Sequence, residues 1–155
     1  VERSRGLGDV YKEAYLGIAL KQLITARKVS CTLTLEDKVH DKKESVELPR
    51  FLFVTCMSHR YEGGGFMFCP PAVDHDGVLD LCSVGNISKG LVLLALPTAF
   101  FGKHYFVKGI NAHTATQMSI TASAPLWVHT DGEVTRKSRG FRVECLPGAI
   151  RMITP

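Results

Sequence analysis

Two hydrophobic periods divide this chain. Over residues 10–27 the apolar positions Tyr11, Ala14, Tyr15 and Ile18 recur at helical spacing, and Leu16, Ala19, Leu20 and Leu23 widen the stripe. Asp9 stands where an N-cap belongs, and Arg27 and Lys28 suit the negative end of the helix dipole. The spacing predicts a helix buried on more than one side. From Val29 the period becomes two. Val29, Cys31, Leu33 and Leu35 alternate with Ser30, Thr32, Thr34 and Glu36, as in a half-buried strand. Residues 36–45 are polar and predict an exposed hairpin loop. A returning strand begins at residues 46–48, and the unbroken apolar run at 51–57 predicts a strand buried on both faces.

Further short strands are predicted at residues 80–84, 108–110, 117–122, 126–129, 141–145 and 149–153, with Leu146-Pro147-Gly148 as a turn. Residues 88–101 predict a second helix, capped by Ser88 and bent or ended at Pro97. Short strands between turn residues, together with two helices, make a mainly β, β-sandwich-like single domain covering residues 1–155.

Composition narrows the class. With 155 residues, 45% apolar and 22% charged, the chain suits one soluble domain with a real core. A net charge of +4 is far from the clustered basic stripe of a nucleic-acid binder, so nucleic acid is not an expected partner. The same mild positive charge suits contact with an anionic membrane surface. Cysteines stand at 31, 56, 69, 82 and 145, an odd number without a Cys-x-x-Cys pair. That argues against a zinc site or a secreted disulfide framework and for reduced thiols in a cytoplasmic protein. Asn86-Ile87-Ser88 is a chance match to a glycosylation sequon. No leader is read in residues 1–9, and the longest apolar run, 91–101, is too short to cross a bilayer.

Two acidic turns carry the candidate chemistry. In Asp74-His75-Asp76-Gly77-Val78-Leu79-Asp80, two carboxylates two apart precede a glycine. A calcium EF-hand fails, because Leu79 and Gly85 fall where that loop needs Gly and Glu. Either the segment is a plain Asp-Gly hairpin turn, or it aims backbone carbonyls at a hard cation with a carboxylate assisting through water. Asp131-Gly132-Glu133 is likewise a hairpin signal, and a carboxylate at a rigid strand end can also take a proton from a substrate hydroxyl. Trp127, Val128 and His129 lead into it. Gly63-Gly64-Gly65 lets backbone approach a ligand or a strand closely, but no Gly-Lys-Ser/Thr follows, so it is no Walker A loop. His104, after Gly102-Lys103, is a surface or structural histidine or, with Lys103, an anion contact. No serine-hydrolase elbow occurs.

The order of these pieces is informative. Tyr61-x-Gly63-Gly64-Gly65 is followed by Pro70-x-Ala72-x-x-x-Asp76-Gly77-x-Leu79-Asp80, then Gly102-Lys103-His104, then Asp131-Gly132-Glu133 and an apolar strand with a Pro-Gly-Ala turn. From about residue 7 to residue 153 this resembles the C-terminal domain of the bacterial-type diacylglycerol kinase and lipid kinase family, whose wider relatives include sphingosine and ceramide kinases. The resemblance implies a β-rich domain of the NAD kinase/diacylglycerol kinase-like fold that takes the lipid. It also implies a separate N-terminal domain with a Gly-Gly-Asp-Gly-Thr loop that binds ATP, and no such loop occurs in this chain. The implied reaction moves the γ-phosphoryl group of ATP to a lipid hydroxyl, making phosphatidic acid from diacylglycerol. Glu133 would be the catalytic carboxylate. Mg²⁺ would be held by the carbonyls of Asp74, Gly77 and Leu79, with Asp76 acting through a water. The expected partners are a lipid substrate, ATP in a longer protein, and the membrane surface.

There are departures. His75 stands where the family often has a second Asp beside Asp76, and Cys56-Met57-Ser58 replaces an Asn-containing segment before the glycines. Two alternatives remain. One is a non-catalytic β-sandwich that binds lipid through residues 91–101 and the apolar strands. The other is NAD kinase, which shares the two-domain plan, although the glycine run and Asp76-Gly77-x-Leu79-Asp80 fit the lipid branch better.

Overall fold

The computed structural model describes residues 21, 23–62, 65–131 and 133–149. Most of the predicted first helix lies outside them; of its described part, residues 21 and 23–25 are helical, and the helix ends before residues 26 and 27. Six strands follow: β1 (Val29–Asp37), β2 (Lys42–Met57), β3 (Leu79–Gly85), β4 (Ile110–Ala115), β5 (Gln117–Thr130) and β6 (Glu133–Glu144). Helix α1 (Lys89–Ala95) and two 3-10 turns (Leu96–Phe101 and His104–Phe106) lie between β3 and β4. The strands form one antiparallel sheet in the order β4-β3-β2-β1-β5-β6. The mainly β architecture is as predicted.

The alternation in β1 fixes which side is core. Cys31, Leu33 and Leu35 are buried, and they pair across the sheet with Ala122, Ile120 and Met118 of β5. Leu79, Leu81 and Ala115 join the same cluster from the far side of the sheet, so the sheet curls around its own apolar face. A second cluster forms on the opposite face of β3, where Cys82 and Val84 meet Met57, Val92 and Ala95. With apolar contacts on both faces, all seven residues of β3 are buried.

Several boundaries differ from the predicted ones. The hairpin loop is only residues 38–41, because Glu36 and Asp37 continue β1 opposite Lys43 and Lys42. Lys43 Nζ sits 2.7 Å from Glu36 Oε1, one of the opposite-charge pairs that hold this polar end of the ladder. Residues 46–48 and 51–57 are one strand, and 52–56 are half-buried rather than buried on both faces. Likewise 117–122 and 126–129 are one strand, β5. The register does shift between Thr121 and Leu126, across Pro125, which has no N–H to give the ladder. β4 starts at residue 110 rather than 108, and β6 starts at Glu133, well before 141. Residue 149 lies in a bend, and the rest of the strand predicted at 149–153 is outside the described residues.

The Ser88 cap is as predicted. Its Oγ accepts from the Leu91 N–H at 3.2 Å, and α1 gives way to 3-10 geometry at Leu96, just before Pro97. Ser88→Ala is expected to cost about 1 kcal/mol in a urea denaturation, read as a lower midpoint at unchanged slope. All five cysteines are free thiols. Burial pushes Cys31, Cys56 and Cys82 up to about 12 and Cys69 to about 11, which makes them poor nucleophiles. Among the described residues no helix is long and apolar enough to cross a membrane.

Candidate functional site

The glycine run lies in a loop that folds back on itself. The Glu62 N–H donates to the Phe66 carbonyl at 2.8 Å, and Gly65 has φ +96°. Phe66 then stacks on Phe100, with ring centroids 4.2 Å apart. The Met67 N–H donates to the Ala99 carbonyl at 2.8 Å. The loop is thereby fastened to the 3-10 turn that follows α1.

That packing accounts for Gly102-Lys103-His104. A Cβ on Gly102 would lie 2.7 Å from Pro70 Cγ and 3.0 Å from Met67 Sδ, and its φ of +65° suits glycine. His104 is 2% exposed, and its Nε2–H donates to the Phe68 carbonyl at 3.1 Å. The Tyr105 hydroxyl donates to the same carbonyl at 2.6 Å. Burial lowers the His104 pKa, so the ring is neutral, and its Nδ1 is buried without a partner. His104 therefore holds the glycine-loop segment; it is not an anion contact.

The Asp74 turn is tied by its own side chains. His75 Nδ1 lies 2.7 Å from Asp74 Oδ1, and this hydrogen bond first, with the imidazole's charge, holds the Asp74 carboxyl below its ordinary range. Asp76 Oδ1 accepts from the Val78 N–H at 3.0 Å. Gly77 has φ +79°, and Pro147 Cγ lies 3.2 Å from where its Cβ would be. The turn feeds Leu79 and Asp80 into β3. Asp80 is 4% exposed, and its carboxyl is pushed up by desolvation and then by the Asp76 carboxylate. Two close carboxylates, one of them buried, beside a sharply turned backbone are a donor set that fits a hard divalent cation. Among the described residues no cluster of three or more His, Cys, Asp or Glu side chains is arranged for a metal. Any cage here would be built chiefly from carbonyl oxygens.

Glu133 opens β6 opposite Thr130, across a two-residue loop in which Asp131 has φ +50°. It is exposed. His129, paired with Val134 near this end of the hairpin, lies within electrostatic reach of Glu62 at the edge of the glycine loop. Glu62 reaches solvent, yet desolvation raises its carboxyl, opposed by His129 and then His59. The Asp74 turn, by contrast, packs on Pro147 beyond the other end of β6. Among the described residues no hydrogen bond or ion pair links Glu133 to residues 74–79. The two acidic turns thus bracket β6 rather than share one cluster. Glu62 and Asp80 were not singled out from the sequence; the one signal was their place beside the glycine run and the Asp-Gly turn.

Two small cavities lie nearby. One of about 140 Å³ touches Cys69, Asp80, Tyr105 and His113. The other, about 20 Å³, lies beneath residues 92–99, so this segment covers room for a water rather than a lipid pocket. Neither approaches the roughly 300 Å³ of an ordinary small-molecule site.

This mainly β domain, with its acidic turns and glycine loop, matches a known family. The sequence model of the YegS C-terminal NAD kinase β-sandwich-like domain covers residues 6–154. The chain belongs to that family. A "Probable lipid kinase YegS-like" protein of Xanthomonas euvesicatoria is 35% identical over 98 residues, which are 62% of this chain and 31% of that protein. A "Diacylglycerol kinase" of Mycobacterium tuberculosis is 26% identical over 96 residues, 62% of this chain and 30% of that protein. The chain thus matches about a third of the length of these relatives. In fold it is similar to the crystal structure of "a putative diacylglycerol kinase" from Bacillus anthracis, with a TM-score of 0.60 at 22% identity, covering 96% of this chain and 48% of that one.

Proposed function

We propose that this domain forms the lipid-side wall of a kinase active site that transfers the γ-phosphoryl group of ATP to a lipid hydroxyl, diacylglycerol to phosphatidic acid in the leading case. The nucleotide is held mainly by residues outside this chain. The lipid oxygen attacks the γ-phosphorus, the bond to the β,γ-bridging oxygen breaks, and ADP leaves. Glu133 takes the proton from the attacking hydroxyl. Its place at the start of a strand, on a tight two-residue loop, supports the role, because such a carboxylate needs little reorganisation to meet an incoming hydroxyl. What carries the reading is the match of the lipid-kinase domain family across residues 6–154.

Mg²⁺ would sit at the Asp74 turn, held by the carbonyls of Asp74, Gly77 and Leu79 with Asp76 through a water. There it would offset the Asp76 and Asp80 charges and stiffen the entry to β3. Asp80, raised by burial and by Asp76, is costly as an anion and disfavours the fold once pH rises through its folded pKa. A bound cation relieves that cost. Near neutral pH, Mg²⁺ at a hundredfold over its Kd is expected to stabilise the protein by about 2.7 kcal/mol in a thermal melt. Asp76→Asn should lose most of that gain. An equal gain in the variant removes Asp76 from the site.

The test of the function is phosphate transfer from labelled ATP by the protein in its full natural length, against diacylglycerol, a sphingoid base and a polyprenyl alcohol. Transfer to one of these lipids is expected. ATP turnover by the 155-residue chain alone, or no transfer to any lipid by the full-length protein, would overturn the reading.

A further inference from the structure

We propose that the outer face of α1 and of the two 3-10 turns after it docks on an anionic lipid bilayer. The segment is apolar on both sides. Its inner side, Val92, Ala95 and Ala99, is buried in the core. Its outer side exposes Leu94 at 75%, Phe101 at 74% and Phe106 at 89%. An element that is apolar all round calls for cover on both sides, and a cluster of large exposed apolar side chains differs from the scattered ones of an ordinary surface. Ile24 is exposed as well, and its carbonyl accepts from Lys89 Nζ at the start of α1.

The charge pattern chooses the partner. Between Asp80 and Asp131 the sequence has no Asp or Glu, whereas Lys89, Lys103 and Lys108 all fall there. Lys103 and Lys108 are exposed, interleave with Phe101 and Phe106, and form no ion pair among the described residues. Protein interfaces favour arginine and deplete lysine, and this stretch contains no arginine. Aromatic side chains at headgroup depth with lysines reaching to anionic lipid form the pattern of an interfacial surface. The inner layer of this surface grips the glycine loop through Phe66 on Phe100 and through Pro70 and Met67 on Gly102. Docking would therefore hold that loop close to the bilayer. The proposal deepens the lipid-kinase reading by naming the surface that meets the membrane, but it stands on the patch itself and does not need phosphoryl transfer.

Vesicle flotation of the full-length natural protein tests it. Partition onto phosphatidylcholine vesicles containing phosphatidylglycerol should exceed that onto phosphatidylcholine alone at least about tenfold at low salt, and should fall as salt rises. A Phe101→Asp/Phe106→Asp variant should lose about tenfold of that partition, and Lys103→Glu/Lys108→Glu should lose the preference for anionic vesicles, both with an unchanged thermal midpoint. No flotation of the wild type, which is also the result if another part of the protein covers the patch, overturns the proposal. So does flotation that both variants retain. Kinase turnover on detergent-dispersed diacylglycerol, measured alongside, needs no vesicle, so the failure of docking and the failure of the lipid-kinase reading are told apart.

Discussion

Glu133→Gln in the full-length protein is expected to lower kcat for lipid phosphorylation by at least about a hundredfold while KM changes little. Glutamine keeps the shape and the hydrogen-bonding reach of glutamate but cannot accept the proton of the attacking hydroxyl. The residue is exposed at the start of β6, so the exchange leaves the core untouched and the thermal midpoint should not move. A loss confined to kcat identifies an interaction made in the transition state rather than in lipid binding. The informative comparison is Glu62→Gln. Glu62 lies within electrostatic reach of His129 near the same hairpin end, and its carboxyl is already raised by desolvation, a property that suits a general base. If Glu62→Gln takes the large kcat loss and Glu133→Gln does not, the proton goes to Glu62, and the hairpin carboxylate leaves the mechanism.

That comparison would not have been framed from the sequence, and the reason is physical. Glu133 stands in an Asp-Gly turn, a local signal that a single pass along the chain can read. What sets Glu62 apart is the electrostatic reach of His129, 67 positions further on, which no local pattern in the chain signals. Asp80 is similar. It was visible in the motif, but its burial and the push from Asp76 are products of β3 lying between β2 and β4 with an apolar cluster on each face. His104 went the other way. A histidine beside a lysine after a helix invites an anion, and tertiary packing turned it inward onto a backbone carbonyl.

The fold was legible to the degree that one side chain face decides it. β1 reads at once, because its alternating apolar residues bury one face. β3, predicted at 80–84, buries Asp80 and Ser83 along with its apolar residues because both of its faces are covered. β4 is an edge strand whose middle residues are mostly polar and mostly exposed, so periodicity carries no signal there. The outer half of β6 is almost wholly exposed, and it is held as a strand by its partner rather than by burial. Two strands are predicted at 117–122 and 126–129, and the structure places a break in register between them, across Pro125, while β5 runs on.

Gly109→Ala is expected to destabilise the domain by at least about 3 kcal/mol, enough to unfold a marginal protein. Gly109 has φ +101°, a region that costs an L-residue about 1–2 kcal/mol before any contact is considered. A Cβ there would lie 2.6 Å from the carbonyl oxygen of Gly85 and 3.0 Å from Ile87 Cβ. The oxygen is backbone and has little freedom to retreat. Gly85 itself is buried at the end of β3, and its N–H donates to the Gly109 carbonyl at 2.9 Å. Moving either partner strains the β3–β4 ladder where Val84 faces Ile110, and both of those side chains belong to the core cluster beneath α1. Gly148 supplies the control. It also has positive φ, at +69°, but nothing lies within 4 Å of its missing Cβ, so Gly148→Ala bears the backbone cost alone. Urea denaturation of the two variants separates the contributions: Gly109→Ala should lose markedly more than Gly148→Ala. Equal losses would mean that Gly85 yields freely, and that the close approach of these two turns does not lock the end of the sheet.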